Sequence, residues 1–407
     1  MSFMQVPLAA IADINRSSLP EATFEDVVIE YADLSSVDLD AGTVSPDSMR
    51  FGDAPTRARR VVRAGDSLIP CLTRKNWTAT RPLLVDGALE RVVFSTGFYS
   101  VSPRAGVDPR FLNYALGSLP VLSDLAKASQ GVTMVGYSES ALARIRIPRL
   151  PLAQQVQVAD FLDREIQRID EALSSIENLQ DLANQRLEAQ IADEIARIAR
   201  RAPRVPLKRI VDPARPLTYG IVQAGEDVSG GVPYVRPMDM VEHAGVPDPT
   251  ALRTTSPEIA QSYRRSTLQA GDVVVSIGPS FGKTMVVPQD LAGANLTQGT
   301  ARVAPAKGFL AEYVQWSLRA PQAIAHWETA VGGATFRALN LEPLGQTPVF
   351  MATEADQQAM IQALRVTQRE VARLLEMTSM LVDLFAERRK ALITAAVTGQ
   401  LDVEAAA

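Results

Sequence analysis

The chain has 407 residues, of which 46% are hydrophobic and 21% charged, with a net charge of −5. This is enough for two or three domains with their own cores, and the balance is that of an ordinary soluble protein. The single Cys71 excludes an internal disulfide and a cysteine-built zinc site, and with only His243 and His326 a histidine-rich metal site is disfavoured. No apolar run is long enough to span a bilayer, and the N-terminal stretch lacks a basic region followed by an apolar block, so the expected place is the cytoplasm.

In chain order, residues 1–150 read as a mixed, strand-rich half. Arg60–Leu72 and Leu83–Pro103 carry strand patterns, Phe111–Leu125 reads as a helix, and Ile145–Pro148 feeds the next element. Leu152–Ala202 contains neither Gly nor Pro, and Leu162, Ile166, Ile169, Leu173 and Ile176 recur at alternating spacings of four and three. That is the seam of a coiled-coil helix, bounded by Pro151 and Pro203. At about 1.5 Å per residue it reaches roughly 75 Å. A second strand-rich half spans 204–350, with strands in Asp272–Val287 and Asn295–Pro305 and a helix over Phe309–Val331. Trp316 and Trp327 lie on that helix's apolar pattern and are expected in the core. Met351–Thr398 is another long run without Gly or Pro, stopped by Gly399 and followed by a short Leu401-Asp402-Val403 segment.

The charge is unevenly divided. Residues 1–150, 151–200, 201–350 and 351–407 sum to 0, −5, +2 and −2. The acidity therefore sits in the helical runs, which suits a surface facing protein better than one facing nucleic acid.

The two halves repeat one another at an offset of 199 to 206 residues. Val6-Pro7-Leu8, Ile11, Asp13 and Arg16 recur as Val205-Pro206-Leu207, Ile210, Asp212 and Arg215. Ala64-Gly65-Asp66 recurs as Ala270-Gly271-Asp272, and Gly131 and Thr133 recur as Gly333 and Thr335. In the helices, Gln155, Leu162, Leu173, Asp181 and Arg186 match Gln357, Leu364, Leu375, Asp383 and Arg388. The pattern predicts a duplicated unit of α+β class: a globular domain followed by a long helix, twice. Packed as an antiparallel pair, the two helices would hold two similar domains apart about an approximate two-fold axis, which is the geometry of a bipartite DNA site.

Several motifs bear on chemistry. Gly278-Pro279-Ser280-Phe281-Gly282-Lys283-Thr284 ends like a phosphate-binding loop, but only three residues separate Gly278 from Gly282 where four are needed. A strand-like run follows it instead of a helix. The expectation is a strand–turn–strand whose tip offers Ser280, Lys283 and Thr284 to a phosphate backbone. Arg57, Arg59, Arg60 and Arg63 form the densest basic cluster of the first half. Alternation would put Arg57 and Arg59 on one strand face, either as phosphate and base-edge contacts or as salt-bridge partners of Asp53 and Asp66. The polar loop Arg74-Lys75-Asn76-Trp77 carries the same two readings. Thr133 and Thr335 sit in repeated glycine loops before the long helices, with Tyr137 and Arg337 as candidate groove contacts. Tyr219 and Gln223 are expected in a loop after Pro216, where Gln can read adenine. His326, beside Trp327, reads as a packed or surface histidine, and neither an adenine-methyltransferase nor a nuclease motif occurs.

The arrangement resembles the specificity subunit of type I restriction–modification systems. The resemblance covers nearly the whole chain. Its most specific stretches are Ile147-Pro148-Arg149-Leu150-Pro151-Leu152-Ala153-Gln154-Gln155 with Phe161-Leu162-Asp163, and Arg388 through Leu401. Residues 54–60, 64–66 and 95–98 look like one class of target recognition domain; residues 218–223 and 231–237, which include Arg236, look like another. The resemblance implies two target recognition domains, 1–150 and 204–350, separated by spacer helices in 151–203 and 351–407. Each domain would read half of a split sequence in double-stranded DNA. The helices would form an antiparallel coiled coil carrying two methyltransferase subunits and, through them, restriction subunits. It also implies a chain with no catalytic centre and no cofactor of its own. S-adenosylmethionine, ATP and Mg are expected in the partner subunits. A coiled-coil scaffold without DNA readout and an ATP-binding enzyme built on Gly278–Thr284 are the competing readings.

Overall fold

The computed structural model describes residues 3–20, 25–39, 42–73, 81–129, 135–240, 247–279, 281–332 and 338–406. The chain divides into two units, one of Met1–Ser175 with Leu381–Ala407 and one of Ile176–Met380. Both are α+β, as expected, and the division falls within the two long helices, Leu152–Ala199 and Glu354–Thr398.

The long helices begin where proline and capping residues dictate. Pro151 precedes the first, and Thr353 caps the second by accepting from the backbone N–H of Asp356. Gly399, at φ +76, ends the second in the left-handed conformation that glycine adopts without strain. The predicted tail segment after it is a short helix, Val403–Ala406.

In the first unit, Gln5–Pro7 pairs antiparallel with Arg146–Pro148 and so ties the chain start to the entry of the long helix. One four-stranded antiparallel sheet runs Leu83–Leu84, Ser67–Pro70, Phe98–Pro103, Ala12–Ile14. A second runs Asp47–Arg50, Val28–Ala32, Val92–Ser95, Ala58–Arg60, with Val28–Ala32 and Val92–Ser95 parallel. The expected single helix over Phe111–Leu125 is two helices, Pro109–Leu116 and Leu119–Ala128. Gly117 closes the first, and a proline in the opening turn starts the second, where its missing N–H costs nothing. Phe111, Leu112, Ala115 and Leu116 then pack with Val158, Phe161, Leu162 and Ile166 of one long helix and Ile393 and Val397 of the other.

The second unit repeats these features. Arg204–Pro206 pairs with Pro348–Phe350. A four-stranded antiparallel sheet runs Thr218–Tyr219, Thr300–Val303, Val273–Ser276, Thr284–Val286, and a three-stranded sheet contains the parallel pair Val232–Val235 and Asn295–Leu296. The expected helix over Phe309–Val331 is again two, Ala311–Leu318 and Pro321–Val331. Trp316 and Trp327 are fully buried among Leu187, Ile191, Met360 and Leu364, and the Trp327 indole N–H donates to Thr347 Oγ1 at 2.7 Å. Within this unit the long-helix segments run antiparallel: Gln180 bonds Thr378, Arg186 pairs with Glu370, and Arg197 with Asp356. In the first unit, Arg389 pairs with Asp170 and Arg388 with Glu165.

Candidate nucleic-acid interface

In the first unit a two-stranded ladder joins Leu72–Thr73 to Val135–Gly136, with Thr73 opposite Val135. The Tyr137 N–H extends it by donating to the carbonyl of Cys71. Arg74, Lys75 and Thr133 lie outside the described residues, but the chain leading to each is set by this ladder. Tyr137 itself is a core residue. It is 6% exposed, its hydroxyl donates to the Pro70 carbonyl at 2.9 Å, and burial pushes its phenol well above the ordinary tyrosine range. The expected groove contact at this position is therefore corrected: the aromatic ring fills the domain interior.

The arginine cluster does not lie on one strand face. Arg57 precedes the strand Ala58–Arg60 in a turn, donating to Tyr31 Oη at 3.1 Å and to Asp33 Oδ2 at 2.9 Å. The Tyr31 hydrogen bond raises its guanidinium further, with Asp33 adding to it. The ion-pair partner is thus Asp33, not Asp53 or Asp66; the Asp66 carboxylate instead accepts from the Arg63 backbone N–H. Arg57 keeps more than half its side chain in solvent and can still reach a phosphate. Arg59 stacks over the Phe51 ring at 4.9 Å. Arg60 is buried, donates from Nε to the Phe98 carbonyl at 3.2 Å, and has its pKa lowered by desolvation.

In the second unit Tyr219 is not in a loop but on the edge strand Thr218–Tyr219, 45% exposed, and Gln223 follows in exposed irregular chain. These two side chains present hydrogen-bonding groups outward with no ion pair to break first. Arg236 is committed elsewhere: its guanidinium grips both carboxylate oxygens of Asp239, at 2.9 and 2.6 Å, and that bond raises its pKa. The decoy phosphate loop is the expected hairpin, Val273–Ser276 against Thr284–Val286, turned at Gly282 with φ +106. Lys283 bends back onto the Met240 carbonyl, and the Thr284 hydroxyl is buried in the strand, so neither projects from a tip. Ser280, Thr335 and Arg337 lie outside the described residues. His326 bonds the Pro343 carbonyl at 3.0 Å, a packing role. Among the described residues no three His, Cys, Asp or Glu side chains converge as metal ligands. No described helix is long and apolar enough to cross a membrane.

Two residues outside every sequence motif join the surface beside the first ladder. Asn15 and Glu139 are 124 positions apart yet bonded at 2.6 Å. No local pattern announces a pairing of that range.

These features define a class: an α+β chain in which strand-rich halves lead into long paired helices. Comparison with known proteins places that class. No family model matches the chain. The type I restriction enzyme EcoBI specificity subunit of Escherichia coli is 26% identical over 218 residues, 48% of this chain and 45% of that protein, so the match spans less than half of the relative's length. A solved chain from work on complex assembly and conformational transition of a type I restriction–modification system shares the fold. It aligns at a TM-score of 0.63 and 19% identity, over 98% of both chains. The chain thus resembles the specificity subunits of type I restriction–modification systems, in sequence and in fold.

Proposed function

We propose that this chain is the DNA-reading subunit of a type I restriction–modification complex. The observation that carries the reading is the sequence match to the EcoBI specificity subunit. The fold adds support: each unit carries the same closing strand pair and the same two-helix layer against a long-helix segment. On this reading the domains 1–150 and 204–350 arose by duplication and each reads one half of a split duplex sequence. The helices of 151–203 and 351–407 set the spacing of the half-sites and carry two methyltransferase subunits, which bring the restriction subunits. The acidic balance of the helical runs fits protein rather than phosphate partners. The chain acts in the cytoplasm and performs no chemistry itself. S-adenosylmethionine, ATP and Mg serve the partner subunits. Arg57, Tyr219 and Gln223 are the described candidates that remain available to DNA.

The test is single-molecule methylation sequencing of cells with and without this gene. A split motif that disappears on deletion supports the proposal; an unchanged methylome refutes it. Footprinting of the assembled complex separates a DNA reader from a scaffold that only recruits proteins.

A further inference from the structure

Asn15 is the only non-glycine residue with a positive φ, +55°, among the described residues. Asparagine tolerates this conformation better than most residues, and its surroundings hold it there. Its N–H donates to the Ser100 carbonyl at 2.8 Å, and its side-chain Oδ1 accepts from the Ser100 N–H at 3.2 Å. With Oδ1 committed, the amide must present Nδ2 on its other side. There Nδ2 donates to Glu139 Oε2 at 2.6 Å. The carboxylate is fixed by one oxygen. Its second oxygen makes no hydrogen bond among the described residues, and Glu139 is exposed.

The position of this carboxylate is informative. Glu139 follows two residues after Tyr137, whose backbone ties to the Cys71 strand, so it stands beside the ladder that leads to residues 74–80 and 130–134. Buried Arg60 lies behind it, within electrostatic reach. A carboxylate on a DNA-facing surface is repelled by phosphates, so it is tolerated only where it meets a base edge. There it accepts from an exocyclic amino group, which in the major groove is the signature of cytosine N4.

Resting on the DNA-reading function above, we propose that Glu139, held by Asn15, is a specificity-determining residue that accepts a hydrogen bond from a cytosine amino group in one half of the target. Asn15 is its positioning residue. Neither was singled out by any motif in the sequence.

The experiment is methylation sequencing of cells expressing the full complex with wild-type chain, Glu139→Gln or Asn15→Ala, together with recovery of the assembled complex. Glu139→Gln keeps the side-chain shape at an exposed site. It should lower discrimination at one C·G pair of one half-site by about tenfold, leaving the other half-site unchanged, as loss of a single good base contact does. Asn15→Ala should relax the same pair to a smaller extent. An unchanged motif in both variants overturns the proposal. So does uniformly tighter binding with the motif intact, because that shows the carboxylate facing phosphates. Loss of the Glu139→Gln chain from the complex assigns the residue to folding and also overturns it. A wild-type complex with no split motif would instead refute the DNA-reading function itself, which separates the two failures.

Discussion

The side-chain amide of Gln357 donates to the carbonyl oxygen of Gly308 at 2.9 Å. The same amide donates to the Ala352 carbonyl, and its oxygen accepts from the Leu310 N–H. Gln155 makes the matching three bonds in the other unit, to Gly106, Leu150 and Asp108. Each glutamine is buried and satisfies the loop in front of the short helices from the first turn of a long one. Gln357→Leu keeps the volume and removes every partner. Leaving buried backbone groups unpaired should cost about 3 kcal/mol. Chemical denaturation of the purified chain checks it, and a change under about 0.5 kcal/mol would remove the glutamine from this role.

Arg215 is joined to Asp272 by two bonds, of 2.7 and 2.6 Å, and Asp272 is 1% exposed. Breaking a buried pair from one side leaves an uncompensated charge, which typically costs about 3–5 kcal/mol. Arg215→Ala should therefore destabilise the chain strongly. Arg215→Ala with Asp272→Asn should recover part of the loss, since the second change removes the stranded charge. A double-mutant cycle by denaturation reads the coupling; additive effects would show that the two residues act independently.

Much of the architecture was legible because its signals are local. Absence of Gly and Pro over some fifty residues, with a periodic apolar stripe, located both long helices to within three residues at each end. The Gly278–Thr284 stretch read correctly as a hairpin turn because its glycine spacing is wrong for phosphate. The division of each short helical region in two was signalled by Pro120 and Pro321 but lost in the apolar pattern around them. The candidate site was far less legible. Whether an arginine faces DNA depends on carboxylates distant in sequence: Asp33 for Arg57, 24 residues away. Tyr137 looked like a loop residue, yet Pro70, supplied by a strand 67 residues earlier, draws its hydroxyl inward. Side-chain pairing at such range leaves no periodic trace.

Gly220 shows how tightly two strands can approach. A Cβ at this position would stand 2.0 Å from the Leu296 carbonyl oxygen, a backbone atom that cannot turn aside. Gly220→Ala should disrupt the edge strand Thr218–Tyr219 and lower soluble yield and melting temperature. By contrast, Gly293→Ala meets nothing within 4 Å and carries only the strain of φ +94. The two variants compared by thermal melting should differ clearly; equal melting temperatures would contradict the close approach.

Cys71 donates its thiol proton to the Gly97 carbonyl at 3.1 Å, and burial pushes its pKa up. The folded thiol therefore holds its proton to higher pH than an unfolded one. A group raised on folding stabilises fully below its unfolded pKa and loses that contribution as pH rises through the folded value. Two outcomes are expected: alkylation of the native chain at neutral pH slower than of the denatured chain, and a loss of stability at alkaline pH that Cys71→Ser lacks. Rapid native alkylation at neutral pH would contradict both, since the thiolate is the nucleophile.

Tyr219 and Gln223 separate recognition from folding in the second domain. Tyr219 is half-exposed on an edge strand and Gln223 is exposed, so truncating either removes little packing. Tyr219→Ala and Gln223→Ala should leave melting temperature unchanged while altering the methylated motif in one half-site. Arg236→Ala should do the reverse. Its guanidinium anchors Asp239 at the turn after the strand Val232–Val235, and its loss leaves that carboxylate without its bidentate partner. A lower melting temperature with an unchanged motif is the expected result for Arg236→Ala. If Arg236→Ala instead left stability intact and changed the motif, the arginine would exchange Asp239 for DNA in the complex. The assignment of contacts in this domain would then have to move from the edge strand to that turn.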